Sequence, residues 1–215
     1  MKHVLVAGWV LATMAAGVVA AEEEAIEPKE TIVLFNGRDL TRWKVHLRSK
    51  TEKPVFTVED GVIKCVGDPR GYIRTEKAYK NYKFVMEWRF TKPGNSGVLV
   101  HMIGDDRVWP KSLESQGGYR NQGDFWVIGG FEFEEHKGVK GRRVPKKGPH
   151  NEKAVGEWNL YEIVCDGATV TPFVNGKQMN QATGCSWSAG KICIQSEGSV
   201  WEARKIVLEP LKPTK

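Results

Sequence analysis

Residues 83–90 constrain the fold more than any other stretch: Phe84, Met86, Trp88 and Phe90 alternate with Val85, Glu87 and Arg89. Period-two alternation puts four large apolar side chains on one face of a strand and leaves the charged pair on the other. Helical periodicity is nearly absent elsewhere, and short alternating runs broken by Gly, Asn, Asp and Pro recur instead. The run 31–35 opens the pattern and meets a turn at Asn36-Gly37-Arg38-Asp39, with Leu40 and Trp43 expected to tuck against a sheet. Runs 55–59 and 62–66 flank Asp60-Gly61, and 169–174 and 177–179 flank Asn175-Gly176, both hairpin signatures. Further runs lie at 71–75, 98–103, 125–128, 131–134, 158–165, 191–195 and 201–208. Roughly twelve antiparallel strands without a helix predict an all-β domain over residues 31–212, a two-sheet antiparallel β-sandwich or jelly roll.

The first twenty residues read differently. Lys2 and His3 precede an apolar run to Val19 and small residues at Ala20 and Ala21. This is the pattern of a secretory signal peptide over residues 1–20, with an uncleaved anchor as the weaker alternative, since the run is shorter than a spanning helix needs. A periplasmic or secreted protein is the expectation, with residues 21–30 a flexible acidic leader and no other membrane association. The four cysteines, Cys65, Cys165, Cys185 and Cys193, fit no zinc motif. Two readings stay open: bridges Cys185–Cys193 and Cys65–Cys165, or four buried thiols. The net charge of +6 is concentrated in a Gly- and Pro-rich stretch, 137–153, expected to be a solvated loop. Without aromatic residues among its bases it does not resemble a nucleic-acid surface.

The chemistry-bearing stretch is Asn95 to Gln116. Glu114 and Gln116 sit at i and i+2 and share a strand face, and His101 lies in the preceding apolar run. If those strands pair, a carboxylate, an amide and an imidazole converge. No HExxH, P-loop, GxSxG elbow or dinucleotide fingerprint is present. What remains is carboxylates and amides accompanied by tryptophans, the kit for binding sugars: rings stack on pyranose C–H faces and planar polar groups pair with hydroxyls. A carboxyl among apolar rings has a raised pKa suited to proton transfer, which singles out Glu114. The bland alternatives are a Glu114 that fixes a neighbour, a His101 packed in the core, an Asn95 that makes a turn and an Asp124 that closes an Asx turn. Asp105, Asp106, Asp124, Glu132, Glu134 and His136 could offer ligands to a divalent metal, but their spacing matches no metal motif, so the metal content is unknown and no other cofactor is implied.

The ordered set Leu34-Phe35-Asn36-Gly37-Arg38-Asp39-Leu40, Phe56-x-Val58-x-Asp60-Gly61, Tyr82-x-Phe84-x-Met86-Glu87-Trp88-Arg89, Gly94-Asn95-Ser96-Gly97, Trp109-Pro110-Lys111-Ser112-Leu113-Glu114-x-Gln116, Gly123-Asp124-Phe125, Glu157-Trp158-Asn159, Val174-Asn175-Gly176 and Ile192-x-Ile194-Gln195-x-Glu197-Gly198 resembles the 3-keto-disaccharide hydrolase domain family of secreted bacterial proteins. The resemblance implies a concanavalin-like sandwich whose concave sheet holds sugar, and cleavage of glycosides already oxidised at C3. It points to Glu114 and His101 as base and acid, in either order. Arg89, Asn95, Trp109, Gln116, Asp124, Trp158, Asn159 and Gln195 would bind an oligosaccharide or glycoside, with Arg89 and Gln116 on the ketone and its neighbouring hydroxyls. Three departures, Ala203-Arg204-Lys205-Ile206 for the family's Phe-Arg-Asn-Ile, His101 where many members carry Arg and Glu197 where members often carry His, leave a non-catalytic sugar-binding module of the same fold as the alternative. An ordinary endoglucanase would want Glu-x-Asp-x-x-Glu, which Glu114-Ser115-Gln116 does not supply.

Overall fold

The computed structural model describes residues 24–211. The expected signal peptide, the first residues of the acidic leader and residue 212 lie outside them. In chain order the strands are β1 (Ile32–Val33), β2 (Trp43–Leu47), β3 (Phe56–Glu59), β4 (Val62–Cys65), β5 (Gly71–Thr75), β6 (Tyr79–Lys80), β7 (Tyr82–Phe90), β8 (Gly97–Ile103), β9 (Lys111–Gln116), β10 (Phe125–Ile128), β11 (Arg143–Val144), β12 (Asn159–Asp166), β13 (Thr169–Val174), β14 (Lys177–Gln178), β15 (Ala189–Ser196) and β16 (Trp201–Pro210). They form two antiparallel sheets. The first runs β14-β13-β12-β7-β16-β4-β3, with β1 on β16; the second runs β11-β10-β9-β8-β15-β5-β2, with β6 on β15.

The alternation of 83–90 is realised as expected. Phe84, Met86 and Trp88 of the first sheet are buried in one core with Val98, Val100, Leu113, Ile192 and Ile194 of the second. Apolar burial of this kind contributes about 25 cal/mol per Å² and is the main force holding the layers together. Polar links also cross the core: the Trp201 indole N–H donates to the Gln195 carbonyl at 2.8 Å, and the Tyr161 hydroxyl lies 2.8 Å from Ser115 Oγ and donates to the Gln116 carbonyl at 2.8 Å. Ser115 therefore faces inward, and its neighbours Glu114 and Gln116 must face out.

Asp60-Gly61 and Asn175-Gly176 make the expected tight turns, each with both residues at positive φ. Other expectations are corrected. Residues 131–134 are not a strand: Phe131 and Phe133 are buried, and a short 3-10 turn, Glu134–His136, follows. Trp43 does more than tuck against a sheet, because it opens β2 and its indole N–H donates to the Leu34 carbonyl at 2.9 Å. All four cysteines are free and buried, and neither bridge forms; burial raises the Cys65 thiol to about 11 and those of Cys165 and Cys185 to about 12, so they are protonated and unreactive at neutral pH. Within the stretch expected as the acidic leader, Ile26 is tied to the sheet. Ile26 bridges Tyr79, with its N–H on Ala78 O at 2.9 Å and its carbonyl taking the Lys80 N–H at 3.0 Å. No helix among the described residues is long and apolar enough to cross a membrane.

Candidate active site

The outer face of the second sheet carries the site. Register sets Glu114 between Leu99 on β8 and Trp126 on β10, Gln116 opposite Gly97, and Gln195 opposite Tyr72. Tyr72, Leu99, Met102, Ile128 and Cys193 form an apolar floor on this face, separate from the interior core. Above it lies a cleft of about 250 Å³ lined by Arg70, Asn95, Trp109, Glu114, Gln116, Trp126, Ile128, Arg142 and Glu197. A recess lined by Gln195, Arg70, Trp109 and Glu197 adjoins it.

Glu114 sits at the bottom, 6% exposed. Burial first, and then the neighbouring Glu197 charge, raise its pKa from 4.5 to about 8, against the partial relief of Gln195 and Arg142. Its Oε1 and the Gln195 Oε1 are both buried without a hydrogen-bond partner. A Cβ added at Gly97 would meet both, at 2.7 and 2.5 Å, so glycine is what lets these two acceptors share the space. A proton on Glu114, or a hydroxyl from a bound sugar, supplies the donor that two such oxygens need.

Glu197 is half-buried. Burial raises its pKa, opposed by Arg70, by hydrogen bonds from Trp109 and Asn95, and by Arg142. Asn95 donates from Nδ2 to Glu197 Oε2 at 2.9 Å, while its backbone N–H is held by Ser199 Oγ at 2.7 Å. Gln116 Oε1 accepts the Gly118 N–H at 2.6 Å, which turns the amide N–H groups toward the cleft. Trp109 rides on a loop fastened by Asp106, whose carboxylate takes two bonds of 2.7 Å from Arg74 and one of 2.9 Å from the Tyr72 hydroxyl. Arg142 reaches the cleft from the basic stretch. That stretch is solvated as expected but pinned through Asp124, which accepts from Arg143 Nε at 2.7 Å and the Lys146 N–H at 2.8 Å.

Of the sequence candidates, Asn95, Trp109, Glu114 and Gln116 line the cleft and Gln195 lines the recess. The others lie elsewhere. His101 sits at a bulge where β8 slips register against β9 and β15, in the left-handed conformation at φ 54°. The extra residue reverses the alternation, so its ring turns inward, fully buried, and stacks on Phe131. Desolvation lowers its pKa to about 4. His101 therefore cannot reach the cleft, and its catalytic assignment is withdrawn. Arg89 and Trp158 belong to the outer face of the opposite sheet, where Arg89 pairs with Glu202 at 2.7 Å and the indole meets both Arg89 and Arg204. Asn159 braces a turn through Lys153 and Asn175, and Asp124 braces the basic loop rather than facing the cleft. Sequence reasoning assigned no site role to Arg70 or Arg142, and placed Trp126 and Glu197 among the aromatic and polar residues that accompany the site without assigning them to it. Trp126 could have been found, because it lies directly across from Glu114 in the hairpin; the two arginines sit in loops that no local pattern brings together. Among the described residues, no three His, Cys, Asp or Glu side chains gather as a metal site would require.

Residues 30–209 match the family described as the 3-keto-alpha-glucoside-1,2-lyase-like domain. The chain belongs to that family. A curated relative, the 3-keto-disaccharide hydrolase of Bacteroides thetaiotaomicron, is 26% identical over 159 residues, which are 65% of this chain and 53% of that protein. The chain thus spans about half the length of the relative it matches. In fold it is similar to a protein of Parabacteroides distasonis provisionally described as a glycosyl hydrolase, with a TM-score of 0.63, 23% identity, and coverage of 85% of this chain and 94% of that one. It is also similar to the beta-glucanase of Bacillus licheniformis, with a TM-score of 0.56, 12% identity, and coverage of 85% and 99%. The carbohydrate-binding module CBM66 of Bacillus subtilis gives 0.57 at 8% identity over 79% and 96%. These likenesses establish the two-sheet glucanase-like sandwich.

Proposed function

We propose that the cleft cleaves glycosides whose sugar has already been oxidised at C3. The observation that carries this is Glu114, a buried carboxyl with a pKa raised to about 8 and an unpartnered oxygen, at the bottom of a cleft walled by two indoles. Family membership supports the same substrate class. A C3 ketone acidifies the hydrogen on C2. A base removes that proton and the C2–H electrons become a C2=C3 enolate. The enolate collapses, the C1–O bond breaks, and an acid protonates the departing oxygen. Water then adds at C1 of the resulting enone while a proton returns to C2.

With His101 in the core, the second proton-transfer role passes to Glu197. Burial raises the Glu197 pKa, against the opposing effect of Arg70 and of hydrogen bonds from Trp109 and Asn95, and its carboxylate is the base. Glu114, protonated at neutral pH, is the acid for the leaving group. The Gln116 amide, its oxygen engaged by Gly118, offers N–H donors to the enolate oxygen. Trp109 and Trp126 stack on sugar faces. An exported protein, periplasmic or secreted, is part of the proposal and rests on the pattern of residues 1–20.

The test incubates purified protein with a 3-keto-disaccharide in deuterated water. Released sugar and deuterium at C2 are the expected result. Glu197→Gln should lose both; Glu114→Gln should keep exchange at C2 and lose release. Binding without product or exchange would instead make this a sugar-binding module and end the catalytic reading.

A further inference from the structure

Two cleft residues have no part in the reaction just described. Arg70 leads into β5, and Arg142 leads into β11 at the far edge of the same sheet, yet both reach the one cleft. Arg70 shares the adjoining recess with Trp109, and the Arg142 guanidinium lies 5.8 Å from the Trp126 ring centre. Each wall therefore offers an indole together with a guanidinium. Among the described residues neither guanidinium is in an ion pair or a hydrogen bond, whereas those of Arg74, Arg89, Arg143 and Arg204 are each matched to a carboxylate.

We infer that the cleft selects glycosides carrying a negative charge, a carboxylate or sulfate group on the sugar ring or on the group attached to it, held by Arg70 and Arg142 across the walls. Planar guanidinium groups match carboxylate and sulfate oxygens two at a time. The charge balance of the cleft agrees. Against two permanent cations stand only two carboxyl groups, Glu114 and Glu197, and burial raises the pKa of both. The stretch that carries Arg142 also holds exposed Lys140 and Lys147, a positive surface that draws an acidic glycan toward the opening.

The inference deepens the proposed function and rests on the same cleft, but it is tested without turnover. Calorimetric titration compares three unoxidised disaccharides: cellobiose, a glucuronyl-glucose, and cellobiose bearing one 6-sulfate. At low salt the uronate or the sulfate should bind at least about tenfold tighter than cellobiose, because a charge-assisted pair replaces a neutral one. That preference should shrink steeply at ~0.5 M salt, where screening is short-ranged. It should collapse in both Arg70→Gln and Arg142→Gln, and partly return with lysine at either site. The two anions tell a carboxylate preference from a sulfate preference. Equal affinity for all three sugars, or a preference that survives in Arg70→Gln/Arg142→Gln with the fold intact by circular dichroism, overturns the inference. Turnover of a neutral 3-keto-disaccharide with no charge preference would leave the proposed function standing without it. A charge preference with no turnover would do the reverse.

Discussion

The Tyr161 hydroxyl accepts a hydrogen bond from Ser115 Oγ and donates its own proton to the Gln116 carbonyl, each at 2.8 Å, so one side chain of the first sheet holds two consecutive residues of the strand that carries Glu114. Because the donated proton goes to the carbonyl, the serine must be the donor in the other bond. Tyr161→Phe leaves the buried Ser115 hydroxyl without its partner and the Gln116 carbonyl with only the Gly123 N–H, at 2.9 Å. A stability loss of about 1–2 kcal/mol follows, seen as a melting temperature lower by roughly 2–5 °C. An unchanged melting temperature would mean that the Tyr161 hydroxyl contributes nothing to aligning the two sheets.

Gly97 gives a sharper test of the site. Its backbone needs no glycine, since it lacks the positive φ found at many other glycines of the chain. Yet an alanine methyl there would press on Glu114 Oε1 and Gln195 Oε1. Gly97→Ala should therefore fold while displacing the acid, with kcat on the 3-keto-disaccharide down by at least about tenfold, the scale of losing a positioned proton donor. A folded Gly97→Ala with full activity would place the chemistry elsewhere.

The Glu114 proton also ties stability to pH. Its folded pKa, about 8, lies above the unfolded value near 4.5. Between those values the folded chain binds the proton that the unfolded chain has released. Stability is thus fully present below about 4.5, falls as pH rises, and levels off above 8. The total effect is on the order of a few kcal/mol. Chemical denaturation at intervals from pH 5 to 9 should show this slope in the wild type and a flatter one in Glu114→Gln. Turnover should fall above pH 8 as the acid ionises. Parallel slopes in the two proteins would remove Glu114 as the titrating group.

Local rules carried some of this a long way. Asp60-Gly61 and Asn175-Gly176 announce their turns because a tight hairpin needs positive φ at both residues. Period two puts Glu114 and Gln116 on one face and Phe84, Met86 and Trp88 on the other side of a different strand. Alternation does not say which sheet a strand joins, which is why Arg89 and Trp158 looked like companions of Glu114 and stand on the opposite sheet. Nor does it survive a bulge: one left-handed residue at position 101 exchanges the two faces, and no composition signal marks it, since the residue is neither Gly nor Asn. Arg70 and Arg142 meet only through the order of strands in the sheet, a long-range property invisible in any short window.

His101 titrates in the opposite sense. Burial depresses its folded pKa to about 4, below the usual 6.5. Its contribution is present above 6.5 and is lost as pH falls toward 4, because the unfolded chain takes up the proton first. His101→Phe keeps the stacking on Phe131 and removes the titration. The variant should resist acid better than the wild type between pH 4 and 6 and should keep turnover within about threefold, as expected of a group that transfers no proton. A loss of turnover as large as that of Glu114→Gln, in a folded variant, would return the imidazole to the mechanism.

Asp106 is the remaining lever. Arg74 and Tyr72 rise from the sheet to grip its carboxylate, and three residues later Trp109 hydrogen-bonds Glu197. Asp106→Asn keeps one acceptor oxygen but loses the charge that binds the guanidinium, so the loop loosens at its root. Trp109 then spends less time over the cleft, which weakens sugar stacking and removes a donor that keeps Glu197 ionised. KM should rise several-fold, a stacking contact on an aromatic ring being worth on the order of 1 kcal/mol, while the acidic limb of the pH–rate profile should move to higher pH as Glu197 becomes harder to ionise. Arg74→Gln should reproduce both shifts from the other side of the bond. A rise in KM with no movement of the acidic limb would mean that the Trp109 loop serves binding alone and that the base lies outside its reach.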